Sequence, residues 1–150
     1  MQVYNKTELI DELDNVYSFI NSSLYKDKLM DLLYKTDIKI ELDLVKAVMA
    51  DGQTNAQCNV LDISFQHTME CIKNIHSELR KIQLIIDTHK KSYINWAEPD
   101  LSANMIRLQA LHELLSKRRA ILISTLFISK VPTRKDEPFF SRIFNFVRDL

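Results

Sequence analysis

His112 and Glu113 are adjacent residues of the types that bind zinc and move protons. An HExxH zinc site needs histidines at i and i+4 to share the metal, with the glutamate as base. Ser116 stands where the second histidine would be, so the pair reads as an ordinary helix-surface pair. A di-iron carboxylate bundle repeats Glu-x-x-His on two helices. The residues three before His67, His76, His89 and His112 are Ser64, Lys73, Ile86 and Gln109, so that pattern fails at each histidine. His67 and Cys71 are i, i+4 neighbours that could hold two corners of a metal site, yet no second ligand pair stands at matching spacing. No Ser or Cys occupies a GxSxG elbow, and a chain whose only glycine is Gly52 has no phosphate-cradling loop. The expectation is a protein that is not an enzyme, with no catalytic residue, cofactor or metal.

Two groups of residues point to binding instead. Lys117, Arg118 and Arg119 are the sharpest basic cluster. Three consecutive helical residues spread over most of the circumference, so a solvated or salt-bridged surface is expected. The alternatives are an acidic partner, including the protein's own N-terminal part, and then nucleic acid. The second group closes the chain. Phe140, Ile143, Phe144 and Val147 form one stripe at helical spacing, flanked by Phe139 and Phe146, with Arg142, Arg148 and Asp149 on the polar side. Such a stripe suits a helix folded back on its own bundle, one docking in a groove of another protein, or one lying weakly in a membrane interface.

The composition limits what positions these groups. A 150-residue chain with 46% apolar residues is one domain with a real core. One glycine and three prolines supply almost none of the tight turns that sheet-rich folds need repeatedly. Cys58 and Cys71 form no CxxC or Cys/His cluster, and without a leading signal peptide they read as free thiols of a cytoplasmic protein. The sequons at Asn5 and Asn21 are then chance matches. No apolar run is long enough to span a bilayer; Ala120 to Ile128 is broken by Ser124 and Thr125. Net charge is zero, but residues 1–60 hold six Lys/Arg against ten Asp/Glu while residues 61–150 hold fourteen against ten. That balance disfavours duplex nucleic acid, whose binding rests on many phosphate contacts, and lets the two parts attract each other.

The expected fold is all-α. Leu9, Leu13, Val16, Ile20 and Leu24 make a helical stripe behind Thr7 as N-cap, with Asn21-Ser22-Ser23 as a place to kink or divide it. Leu29, Leu32 and Leu33, with Tyr25, continue to about Tyr34. Ile38, Ile40, Leu42 and Leu44 alternate as a strand would, but Ile38, Leu42, Val45 and Met49 also form a helix face. The helix is preferred, because a lone strand lacks a partner and Asp51-Gly52 follows as a stop. Residues 51–59 read as a polar connection.

The heptad from Leu61 is the strongest signal. Phe65, Ile72, Leu79, Ile86 and Tyr93 take one core position, and Leu61, Thr68, Ile75, Ile82, His89 and Trp96 the other. They predict a helix from about Val60 to Ser92. Glu98-Pro99-Asp100 interrupts, with Asp100 as cap of a next helix starting at Leu101. Leu101, Leu108, Leu115 and Leu122 repeat every seven residues there, and Met105, Leu111, Leu114, Ile121 and Leu126 widen the apolar face. The expectation is a bundle over residues 1–130 whose centre is a long antiparallel, coiled-coil-like hairpin at 60–130, completed by shorter N-terminal helices. A charged linker at 131–138 and a short amphipathic helix at 139–150 follow, with Pro138 in its first turn and Asp136 as cap.

The function expected is a protein–protein interaction module, an adaptor or assembly subunit using the hairpin and the terminal helix, with protein partners or self-association. One alternative is a peripheral membrane protein anchored by Phe139, Phe140, Ile143 and Phe144. The other is a helical nucleic-acid-binding regulator using Lys117, Arg118 and Arg119.

Overall fold

The structure, a computed structural model, describes residues 2–51, 59–92, 97–130 and residue 148. Five helices are formed: α1 (Gln2–Ser22), α2 (Lys26–Lys35), α3 (Ile38–Asp51), α4 (Asn59–Lys90) and α5 (Ser102–Lys130). No strand occurs among the described residues. The helices pack as a bundle in which α4 lies against α1 and α5, α3 against α5, and α2 against α1 and α3.

In α1, Leu9, Leu13, Val16 and Ile20 are buried as their spacing predicts. Two expectations at its ends are corrected. The helix begins at Gln2, so Thr7 lies inside it and is not its cap. It also stops at Ser22, which takes Leu24 out of the stripe and leaves it 92% exposed. The cause is local. Ser23 N–H bonds back to the Ile20 carbonyl (3.2 Å), and its hydroxyl accepts the Tyr25 N–H (3.0 Å) while donating to Gln83 on α4 (2.6 Å). A serine bonded in this way offers the backbone an alternative to the helical ladder.

Helix α2 buries Leu29, Leu32 and Leu33. It ends at Thr36, whose hydroxyl donates to the Leu32 carbonyl (2.8 Å), and the chain turns on Asp37, which has φ 60°. The Asp37 N–H bonds back to Tyr34 (3.2 Å), and its carbonyl accepts the Glu41 N–H (3.3 Å), so one left-handed residue both closes α2 and opens α3. The ambiguous segment after it is helix. Ile38, Leu42, Val45 and Met49 are buried, whereas Ile40 and Leu44, which alternation would have placed beside Ile38 and Leu42, are exposed. Residues 52–58 of the expected connection lie outside the described residues.

At about 1.5 Å per residue, α4 is about 48 Å long. Both heptad positions point inward over its length: Leu61, Phe65, Thr68, Ile72, Ile75, Leu79, Ile82 and Ile86 are all buried. The last members of the repeat, Tyr93 and Trp96, lie outside the described residues. The Asp100 carboxylate accepts the Ser102 N–H (3.0 Å) and hydroxyl (2.6 Å), which caps α5 and holds the carboxyl below its usual range. Leu101, Leu108, Leu115 and Leu122 are buried, joined by Leu126. The widened face is corrected in part: Met105 and Leu111 pack on the core, but Leu114 and Ile121 are 36% and 49% exposed. Each stands one residue before a core leucine, and one residue is a rotation of about 100°, enough to carry it off the buried face.

No helix among the described residues is long and apolar enough to cross a membrane. The expected linker at 131–138 and terminal helix at 139–150, with Phe139, Phe140, Ile143, Phe144 and Val147, lie outside the described residues apart from Arg148.

Candidate interaction surfaces

Two buried carboxylates set how α5 sits in the bundle. Glu78 of α4 is only 3% exposed; its Oε1 accepts from Asn104 Nδ2 (2.7 Å) and Arg107 Nε (2.8 Å). Glu41 of α3 is 6% exposed, with Arg119 Nε at 2.6 Å from Oε2, Arg119 Nη2 at 3.3 Å from Oε1, and His112 Nε2 at 3.9 Å from Oε1. A buried carboxylate is costly unless it is paired and hydrogen-bonded, and both of these are. The partners therefore prescribe which residues of α5 meet α3 and which meet α4.

The basic cluster consequently does three separate things. Lys117 is exposed, Arg119 is engaged by Glu41, and Arg118 is half-buried close enough to Cys71 to act on its thiol. Burial pushes the Cys71 thiol up to about 11, with Arg118 opposing the shift, and its Sγ lies 3.6 Å from the Leu111 carbonyl. Cys71 thus faces the core while His67 is exposed. The His112–Glu113 pair is divided in the same way, with His112 towards Glu41 and Glu113 exposed.

Polar pairs also tie α1 and the α1–α2 turn to their neighbours. His76 Nδ1 meets Glu12 at 3.1 Å, and its ring lies 5.2 Å from that of Phe19. Tyr17 donates to Asp43 (2.5 Å), and Lys46 sits 4.9 Å above the Tyr17 ring. Burial, then the bond to Asp43, raises the phenol above its ordinary range. Burial also raises the Asp43 carboxyl, but the bonds from Lys39 and Tyr17 prevail and hold it low. At the α1–α2 turn an open groove of about 540 Å³ is lined by Phe19, Leu24, Tyr25, Arg80, Leu84 and Asp87, among others. Tyr25 donates to Asp87 across it (2.8 Å), and Lys90 covers the Tyr25 ring at 4.7 Å. A smaller cleft adjoins it, where His89 Nε2 bonds to the Ala97 carbonyl. His89, which the heptad places at a core position, is half-buried there.

No family model matches the chain, and neither a curated protein nor a solved structure matches it.

Helix α5 carries apolar residues on two faces. One faces the core; the other brings Ile106, Leu114 and Ile121 to the surface. Sequence reasoning took Leu114 and Ile121 for core and passed over Ile106. The signal was available, because Ile106, Ala110, Leu114, Lys117 and Ile121 recur at helical spacing as a second stripe offset from the leucine repeat. The buried polar residues also had a signature. Glu41 falls between Ile38 and Val45, Glu78 between Ile75 and Ile82, and Asn104 between Leu101 and Leu108, each three after one core residue and four before another.

Proposed function

We propose that this chain is a non-enzymatic protein–protein interaction module, an adaptor or assembly subunit of a larger complex. In this reading residues 60–130 form an antiparallel hairpin that serves as rod and docking surface. The segment at 139–150 is a tethered amphipathic helix that presents Phe139, Phe140, Ile143, Phe144 and Val147 to a partner. The pairings of Cys71 with Leu111 and of Glu78 with Asn104 and Arg107 support the hairpin, since positions advance on α4 as they retreat on α5.

The observation that carries the functional reading is the second apolar face of α5, where Ile106 is 67% exposed and Ile121 49%. Contiguous exposed apolar surface marks interaction sites in folded proteins. The buried free thiol of Cys71 fits a reducing compartment, in keeping with a cytoplasmic location.

The test compares the full chain with one ending at Lys130 and with the full-length double variant Phe140→Asp/Phe144→Asp. Circular dichroism should show the same melting temperature in all three, with the shortened chain losing only the helical signal of the segment removed, while partner proteins retained from extract by the full chain are lost from both altered forms. Unfolding of the shortened chain would make the terminal segment part of the core and end its role as a docking element. Flotation of the full chain alone with anionic vesicles would assign the phenylalanines to a lipid surface instead.

A further inference from the structure

We infer that the exposed face of α5 is a self-association surface, on which two copies of this chain pair through antiparallel α5 helices about a two-fold axis lying between Glu113 and Leu114. This inference rests on the reading of that face as a docking surface and requires the C-terminal segment to leave it open.

Along the middle of this exposed face Ile106, Ala110, Glu113, Leu114, Lys117 and Ile121 are separated by steps of four, three, one, three and four residues, with Arg107, Gln109 and Ala120 exposed beside them. The series reads the same in both directions. A two-fold interface uses one patch twice, so the patch must be complementary to itself under reversal. With the axis at the central step, Ile106 meets Ile121 of the second copy and Ala110 meets its Lys117. Leu114 packs beside the axis.

The charges agree with the same pairing. Opposite Lys117 stands alanine, which leaves room for the aliphatic stem of the lysine, and Glu113 lies about one turn away to receive its ammonium group. Symmetry makes two such pairs per dimer. Glu113 and Lys117 are both exposed, and neither has an ion-pair partner among the described residues. A parallel pairing would instead set Lys117 against Lys117 and Glu113 against Glu113, placing like charges together.

The contact is one helix face, about 23 Å from Ile106 to Ile121 at about 1.5 Å per residue, so it falls at the small end of specific interfaces. The dimer is therefore weak and concentration-dependent.

Sedimentation of the full chain over a range of concentrations should show a monomer–dimer equilibrium. Glu113→Lys and Lys117→Glu should each shift it towards monomer, and the double exchange should restore it. In a Cys58→Ser background, a mixture of Ile106→Cys and Ile121→Cys chains should form the mixed disulfide in preference to either homodimer. A chain that stays monomeric at its highest soluble concentration overturns the inference. So does a dimer indifferent to both single charge changes. Dimerisation that appears only with Phe140→Asp/Phe144→Asp in the full chain would mean that the chain's own C-terminal segment covers this face, which also overturns it.

Discussion

Cys71 shows how much a single residue owes to its surroundings. The sequence marks it as a free thiol beside a histidine. The bundle buries it and pushes its titration from 9.0 to about 11, despite the nearby Arg118. Two consequences follow. Because thiolate is the reacting species, a full chain carrying Cys58→Ser should react with a thiol reagent at pH 8 far more slowly than the same chain unfolded in denaturant. The linkage to stability is alkaline: above pH 9.0 the unfolded chain loses this proton while the folded chain keeps it up to about 11, so stability falls across that interval. Denaturant titrations at several pH values should show that fall, and Cys71→Ala should flatten it.

At the scale of elements, the corners were harder to read than the helices. Five helices were legible because their apolar spacing is strong, and helix was preferred for the segment from Ile38 to Met49 because a lone strand would lack a partner and Asp51-Gly52 follows as a stop. Their ends were less legible, since ends depend on a few hydrogen bonds that leave no periodic trace. The two-bond role of the Ser23 hydroxyl exposed Leu24, and the reversal after α2 fell to Asp37, a residue without the conformational freedom of glycine. A left-handed backbone costs a non-glycine residue about 1 kcal/mol. Asp37→Gly should therefore stabilise the protein by about 0.5–1 kcal/mol, read as a higher denaturant midpoint with unchanged slope. A lower midpoint would mean that the Asp37 side chain supports the corner.

At the scale of the molecule, one core runs the length of α4 and draws on all the other helices. Ile75 sits fully buried within it, so Ile75→Asp should cost about 3–5 kcal/mol in chemical denaturation, the penalty of an unpaired buried charge. A loss under about 1 kcal/mol would show that the seam admits water. The buried carboxylates act on a different property. Replacing a paired buried charge by apolar groups is often neutral for stability, so Glu41 and Glu78 count chiefly as devices that hold α5 in one rotation and register. The sequence by itself determined the helical class, the heptad of α4 and the leucine repeat of α5, because periodicity is a local property of the chain. The tertiary structure decided which of α5's two apolar faces is hidden. Leu115 and Leu114 are equally apolar and adjacent, yet the first is buried and the second is at the surface. That choice depends on rotation about the helix axis, which Glu78 meeting Asn104 and Arg107, and Glu41 meeting Arg119, hold in place across separations of 26, 29 and 78 residues. Contacts between residues so far apart have no expression in local spacing.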